Sequence, residues 1–297
     1  MPRRDIRGVI TRLPAYLRSR VLGSVALLPY GRMRQRRLLQ AVDRVNDHTY
    51  TSFLRSPLQI EALVGPALDH LGAGQTSGPI QINIFACSNG AEAYTVASEL
   101  ARARPTLQWQ IRASDLHAHT VQQARLGRYS SEDVANGPAV PAAFVKRTFD
   151  AIGDSWVVKA ELRERVTFEQ ADLLDDRLAA RMPPADIVFI QNVLFHLPPP
   201  LARRAFANAI ATMKPRSVLF LDGMELDMRV ELTRSAGLAP LQFRTRQIYE
   251  YSRRHIAANW WDYYYGCEPY WSLATDRDRR YGTIFLKGEG QGSTRRQ

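Results

Sequence analysis

Two cysteines, Cys87 and Cys267, are all the thiol the 297-residue sequence carries. That is too few for a disulfide framework, so the fold has to rest on a buried core, and the usage fits a reducing, cytosolic setting. Long apolar runs are missing as well. The best stretch, Val21 to Tyr30, is about half of what a membrane-spanning helix needs. No small-residue cleavage site follows it, which disfavours a secretory signal. The histidines lack ligand spacing: His117 and His119 sit together at the start of one helical stretch, while His70, His196 and His255 are scattered. No metal site is expected. A G-x-G-x-x-G run is also absent, which argues against a dinucleotide-binding loop.

What the sequence does hold is arginine, placed unevenly. Between Met1 and Arg37 stand ten arginines against the single acid Asp5, so most of the formal charge of +11 lies in that arm. Such an arm can meet nucleic acid, an anionic membrane surface or an acidic protein, or form a solvated face, whereas the near-neutral body argues against a large nucleic-acid groove. An apolar content of 45% supports a sizeable core.

Apolar spacing is helical over 6–28, with breaks at Pro14 and Gly23, over 33–45, and again over 58–71, where Gly72, Gly74 and Gly78 end it. From Ile80 the pattern changes. Strand candidates at 80–87, 108–114, 165–170, 186–191 and 217–222 are interleaved with helical stretches at 94–104, 117–126 and 201–213. This alternation predicts βαβ units and a mostly parallel sheet covered on both faces. Two late segments, 238–243 and 281–287, look like a closing strand pair. Between them lies an aromatic cluster that includes Tyr249, Trp260, Trp261 and Tyr264. The domain reading is a basic helical extension over 1–50, one catalytic domain over 51–287 with an insertion at 244–280, and a disordered tail over 288–297.

In open α/β sheets, ligands sit at the carboxyl ends of the strands. Here the first strand runs into Ala86-Cys87-Ser88-Asn89-Gly90, and the second ends at Asp115. A tight turn lets backbone approach a cofactor, and an acid one helix and one strand later can take both hydroxyls of a ribose. By themselves these residues also fit a turn glycine and a helix-capping aspartate.

The flanking residues say more. Ala86-Cys87-Ser88-Asn89-Gly90-Ala91-Glu92-Ala93-Tyr94 resembles the small-Cys-Ser-x-Gly-x-Glu-x-Tyr signature of CheR-type chemotaxis receptor methyltransferases. Ser114-Asp115-Leu116, Ala124-Arg125-x-Gly127-x-Tyr129, Asp172-Leu173-Leu174 and 186–193 are similar to that family's later blocks, in order. Thr51-Ser52-Phe53-Leu54-Arg55 is similar to an earlier one. The resemblance covers roughly 49–243 and implies a class I, Rossmann-like methyltransferase with a mostly parallel seven-stranded sheet, dependent on S-adenosyl-L-methionine (SAM) and releasing S-adenosyl-L-homocysteine (SAH). It further implies that Ala86, Cys87, Ser88 and Gly90 form the cofactor loop, that Glu92 accepts from the cofactor's amino group and that Asp115 binds the ribose. Asp172 and Leu173 would lie beside the adenine, Asn192 and Val193 under the cofactor, and Thr51 and Arg55 over it. Arg55 can also orient an anionic substrate group.

Two departures bear on the substrate. The family's Arg-Asn-Val-x-x-Tyr block stands here as Gln191-Asn192-Val193-Leu194-Phe195-His196. A histidine there has the pKa range of a general base for a hydroxyl, phenol or amine; it is equally a wall or cap residue. The aromatic stretch, with Tyr249, Trp260, Trp261 and Tyr264, is either a substrate wall or a core or dimer contact. The expectation is methyl transfer to oxygen or nitrogen of a small-molecule acceptor. The alternatives are a protein-glutamate O-methyltransferase with an acceptor protein, a non-catalytic SAM-binding or partner-binding module, and RNA methylation through the arginine arm.

Overall fold

The computed structural model describes residues 51–72, 78–135, 140–254 and 268–288. The expectations placed on 1–50, on Trp260, Trp261 and Tyr264, and on the tail from 289 lie outside the described residues.

The chain enters through α1 (Pro57–Ala62), a π-turn (Leu63–Ala67) and α2 (Leu68–Leu71). The spacing predicts one continuous helix here. Pro66 supplies no N–H and crowds the preceding turn, so the ladder opens into the wider turn around Gly65. Gly72, left-handed at φ 65°, closes α2.

Next come β1 (Ile80–Phe85), α3 (Ala91–Ala103), β2 (Trp109–Asp115) and α4 (Ala118–Leu126). After an interlude come β6 (Val166–Gln170), α8 (Leu178–Arg181), β7 (Ala185–Gln191), α9 (Pro199–Ala211), β8 (Met213–Asp222) and α10 (Leu226–Ser235). The closing elements are β9 (Ala239–Pro240), α11 (Thr245–Arg254), α12 (Arg277–Arg280) and β10 (Ile284–Lys287). One seven-stranded sheet results, in the order β6-β2-β1-β7-β8-β10-β9. Its first five strands pair in parallel, and β10 runs antiparallel to both neighbours. The mostly parallel sheet read from the sequence is therefore present.

Residues of β7 alternate between two cores. Ile187 and Phe189 pack with one cluster, Val188 and Ile190 with the other, which is why the strand reads as a continuous apolar run. At the opposite end Asp186 accepts from the Gln81 N–H and Lys214 Nζ, fixing β7 against β1 and β8. Strand order reverses between β1 and β7, and their carboxyl ends open there into a crevice.

The interlude contains β3 (Arg128–Ser130), α5 (Ser131–Ala135), α6 (Ala142–Thr148), β4 (Phe149–Ile152), β5 (Ser155–Val158) and α7 (Ala160–Arg163). Its three strands form a separate antiparallel sheet, β3-β5-β4, absent from the sequence reading. Strands of three or four residues carry too short a pattern to read.

Candidate active site

The loop after β1 turns through left-handed residues at Ala86 (φ 55°), Ser88 (φ 50°) and Gly90 (φ 88°). Only the last is free of a Cβ penalty. A Cβ at Gly90 would stand 2.9 Å from the Ala124 Cβ and 3.0 Å from the Phe168 ring, so α4 and β6 require glycine there too. Gly90 thus works through the backbone and does not line the cleft below.

Asp115 ends β2 and is buried. Its Oδ2 accepts the Ser88 N–H at 2.8 Å, and its Oδ1 accepts the His117 N–H at 3.0 Å and the Thr120 hydroxyl at 3.2 Å. A carboxylate has about four acceptor positions, so one remains for a ligand on Oδ2. Glu92, in the first turn of α3, has its carboxyl pushed up to about 7 by burial; Arg55 opposes the shift and the negative charge of Asp222 adds to it.

β7 ends at Gln191, followed by Asn192 in a left-handed conformation (φ 56°). The Asn192 N–H donates to the Asp222 carbonyl, and Gly223 packs so closely that a Cβ on it would stand 2.5 Å from the Asn192 Cα. The turn Leu194–His196 follows, its His196 ring 3.9 Å from that of Phe195. Gln191 Nε2 donates to Gln59 Oε1 at 2.9 Å, joining α1 to the strand end.

Thr51, Arg55, Ala86, Ser88, Glu92, Asp115, Asn192, Val193 and His196, all singled out in the sequence, line one cleft of about 250 Å³. Others lie elsewhere. Cys87 is buried under the loop, its thiol pushed up by burial and then by Asp115 and Glu92. Asp172 is exposed and accepts the Leu174 N–H, while Leu173 packs on the second core; neither lines the cleft. Tyr249 does not line it either. It is buried against Tyr281, with ring centroids 4.7 Å apart, and its hydroxyl donates to the Glu268 carbonyl. For Tyr249 the structure corrects the expectation of a substrate wall to the core contact, because the phenol oxygen has its partner inside the C-terminal segment.

Several lining residues had no site role in the sequence reading: Ser52 and Leu116, which stood within quoted motifs, and Gln59, Thr95 and His117. Gln59 gave no signal in the sequence, because Arg55 lies in the bend before α1 and the two residues share no helical face. The others are ordinary residues that only the folded geometry brings to the wall. Among the described residues no group of side chains forms a metal site, and no helix is long and apolar enough to cross a membrane.

A sequence profile described as CheR methyltransferase, SAM binding domain, matches residues 49–233. The chain belongs to the CheR methyltransferase family. It is a SAM-dependent methyltransferase, and its cleft fits the cofactor: one carboxylate with a spare acceptor position, a second carboxyl at the first turn of a helix, and a tight loop that brings Ala86 and Ser88 to the wall. Similar proteins include chemotaxis protein methyltransferase 2 of Vibrio cholerae, 28% identical over 65% of this chain and 67% of that protein. Chemotaxis protein methyltransferase 1 of Pseudomonas aeruginosa is 29% identical over 59% and 65%. An uncharacterised 104.1 kDa protein of Rhodobacter capsulatus is 29% identical over 61% of this chain but only 19% of its own length. The chain therefore spans a fifth to two thirds of the length of these relatives. Among solved structures, an O-methyltransferase family protein from Burkholderia thailandensis is similar at a TM-score of 0.40 and 17% identity, covering 63% of this chain and 52% of that one. The SAM-bound magnesium protoporphyrin IX methyltransferase of Synechocystis PCC 6803 is similar at 0.38 and 17%, covering 77% and 89%.

Proposed function

We propose that this methyltransferase acts on a side-chain carboxylate of an acceptor protein, leaving a methyl ester. The observation that carries the reading is Arg55. Among the described residues it is the one arginine or lysine lining a cleft that already holds two carboxyls, Glu92 and Asp115. Its guanidinium fork suits a carboxylate. The printed names of the relatives, chemotaxis protein methyltransferases, support the same acceptor class.

Asp115 would hold the ribose hydroxyls of SAM and Glu92 its ammonium, with Ala86 and Ser88 presenting backbone, Asn192 and Val193 beneath and Thr51 above. When bound, the cofactor supplies a methyl on a sulfonium, so that the new C–O bond forms as the C–S bond breaks and the electron pair goes to sulfur. An ionised carboxylate oxygen needs no proton removed. The work left to the protein is alignment, water exclusion and charge placement. His196 is then a wall residue, not a base.

A second reading keeps a small-molecule hydroxyl or amine as acceptor with His196 taking the proton, because His196 lines the cleft at the end of β7. Methyl transfer to a carboxylate ranks above it, the reverse of the order that Gln191 and His196 alone suggest. The chemistry of the product tests this. With methyl-labelled SAM and protein from cells lacking the gene, a carboxyl acceptor gives protein-bound label released as methanol in mild base. Label stable to base, or confined to small molecules, contradicts it.

A further inference from the structure

Two buried polar atoms on the same wall of the cleft have no hydrogen-bond partner among the described residues: Ser52 Oγ and Gln59 Nε2. Both belong to the segment that carries Arg55, and both side chains are almost wholly buried, at 2% and 1% exposure. An orphaned buried donor is costly, and a folded chain keeps one where something else completes it. The Gln59 amide is not loose. Gln191 donates to its Oε1 at 2.9 Å, which fixes the plane of the amide and leaves Nε2 as the unspent donor. Gln191 stands where the resembled family has arginine, so this amide pair distinguishes the chain from the pattern it otherwise follows.

We infer that Gln59, set by Gln191 and seconded by the Ser52 hydroxyl, is a specificity-determining residue that donates to the non-reacting oxygen of the acceptor's carboxylate. The inference rests on the carboxylate reading above. A carboxylate has two sources in this cleft, the acceptor and the amino-acid end of the cofactor. The amide pair joins the β7 end, whereas Ser88 and Asp115 stand at the ends of β1 and β2 on the other side of the crevice; this favours the acceptor. Arg55 supplies the charge and one fork, and a second, neutral donor on the same cleft adds a contact that a single hydroxyl cannot use together with the first. Both orphan atoms are closed to water, so a small shift of the wall, with the Gln59–Gln191 pair intact, accompanies binding.

The test uses the full chain loaded with SAH, labelled with nitrogen-15, and N-acetyl-L-glutamate N-methylamide as the carboxylate probe. The Gln59 side-chain amide resonances are expected to move with this probe and not with N-acetyl-L-glutamine N-methylamide. Gln59→Met is expected to weaken the carboxylate probe about ten-fold or more, the size of one lost hydrogen bond to a charged group, while SAH affinity stays within about two-fold. If that variant fails to fold, the wild-type shifts decide alone, with the amide assigned through its own backbone. A shift completed by SAH before any probe is added, or a ten-fold loss of SAH in Gln59→Met, assigns the donor to the cofactor and overturns the inference. Carboxylate binding with a silent Gln59 amide overturns it and leaves the carboxylate reading standing. Binding of a phenol or amine probe in place of the carboxylate, or no carboxylate-dependent shift up to the solubility of the probe, overturns both.

Discussion

The Ser88 backbone N–H donates to Asp115 Oδ2 at 2.8 Å, so the acid at the end of β2 holds the loop at the end of β1. The same carboxylate anchors the start of α4 through the His117 N–H and the Thr120 hydroxyl. In Asp115→Asn only one side-chain atom still accepts, and one of these buried donors loses its partner. The expected cost is about 1–3 kcal/mol of stability, read as a lower thermal midpoint. SAH affinity should fall about ten-fold or more in the folded variant. An unchanged melt would show that the loop holds its left-handed turns without Asp115.

Gly90→Ala meets both a left-handed backbone and a filled space, with Ala124 and Phe168 at 2.9 and 3.0 Å. Strain and overpacking together should cost about 2–4 kcal/mol, and cofactor affinity should fall with them. Calorimetric unfolding checks the first and SAH titration the second. Gly288→Ala is the matched control, since nothing lies within 4 Å of its Cβ and its backbone is not left-handed.

His196→Ala separates the two acceptor classes by kinetics. Under the carboxylate reading turnover falls less than about ten-fold, and the pH profile loses no ascending limb near the histidine range. A loss of about a hundred-fold or more, with that limb abolished, is what a general base would give.

Arg229 is buried at 2% exposure and contacts Asp222 Oδ1 at 3.1 Å and the Gly282 carbonyl at 3.0 Å. This pair ties α10 and the C-terminal strand to the β8 end beside the cleft. Asp222→Ala leaves the guanidinium buried without its counter-charge, an expected loss of about 3–5 kcal/mol, measured by denaturant unfolding. A loss below about 1 kcal/mol would mean that the backbone carbonyls alone satisfy Arg229.

Much of this architecture was legible because its signals are local. The run Ile187-Val188-Phe189-Ile190 has no polar break, so a strand buried on both faces follows. Ala86 to Gly90 and Asp115 were readable because the turn and the acid stand at the ends of such strands. The small β3-β5-β4 sheet was not, since its strands are too short to impose a period. Tyr249 was misplaced for a different reason. An aromatic residue in a late connection packs equally well in a core or on a ligand, and what decides is the Glu268 carbonyl its hydroxyl meets, nineteen residues further along the chain. Gln59 and Gln191 lie 132 residues apart, and nothing in either neighbourhood announces the pair.

Glu92 offers the most direct test of the cofactor's placement. Its carboxyl is held at about 7, above the ordinary 4.5 of an unfolded glutamate. The ionised form is therefore disfavoured until the cofactor binds, and an incoming ammonium must draw the proton off. Titration calorimetry of SAH should then show affinity rising about ten-fold from about pH 6 to about pH 8, with proton release on binding near pH 7 that fades above it. Glu92→Gln removes the charge and keeps the shape; it should bind SAH weakly, with neither pH dependence nor proton release. Equal affinity in wild type and Glu92→Gln at both pH values would contradict the account and move the amino-acid end of the cofactor away from Glu92.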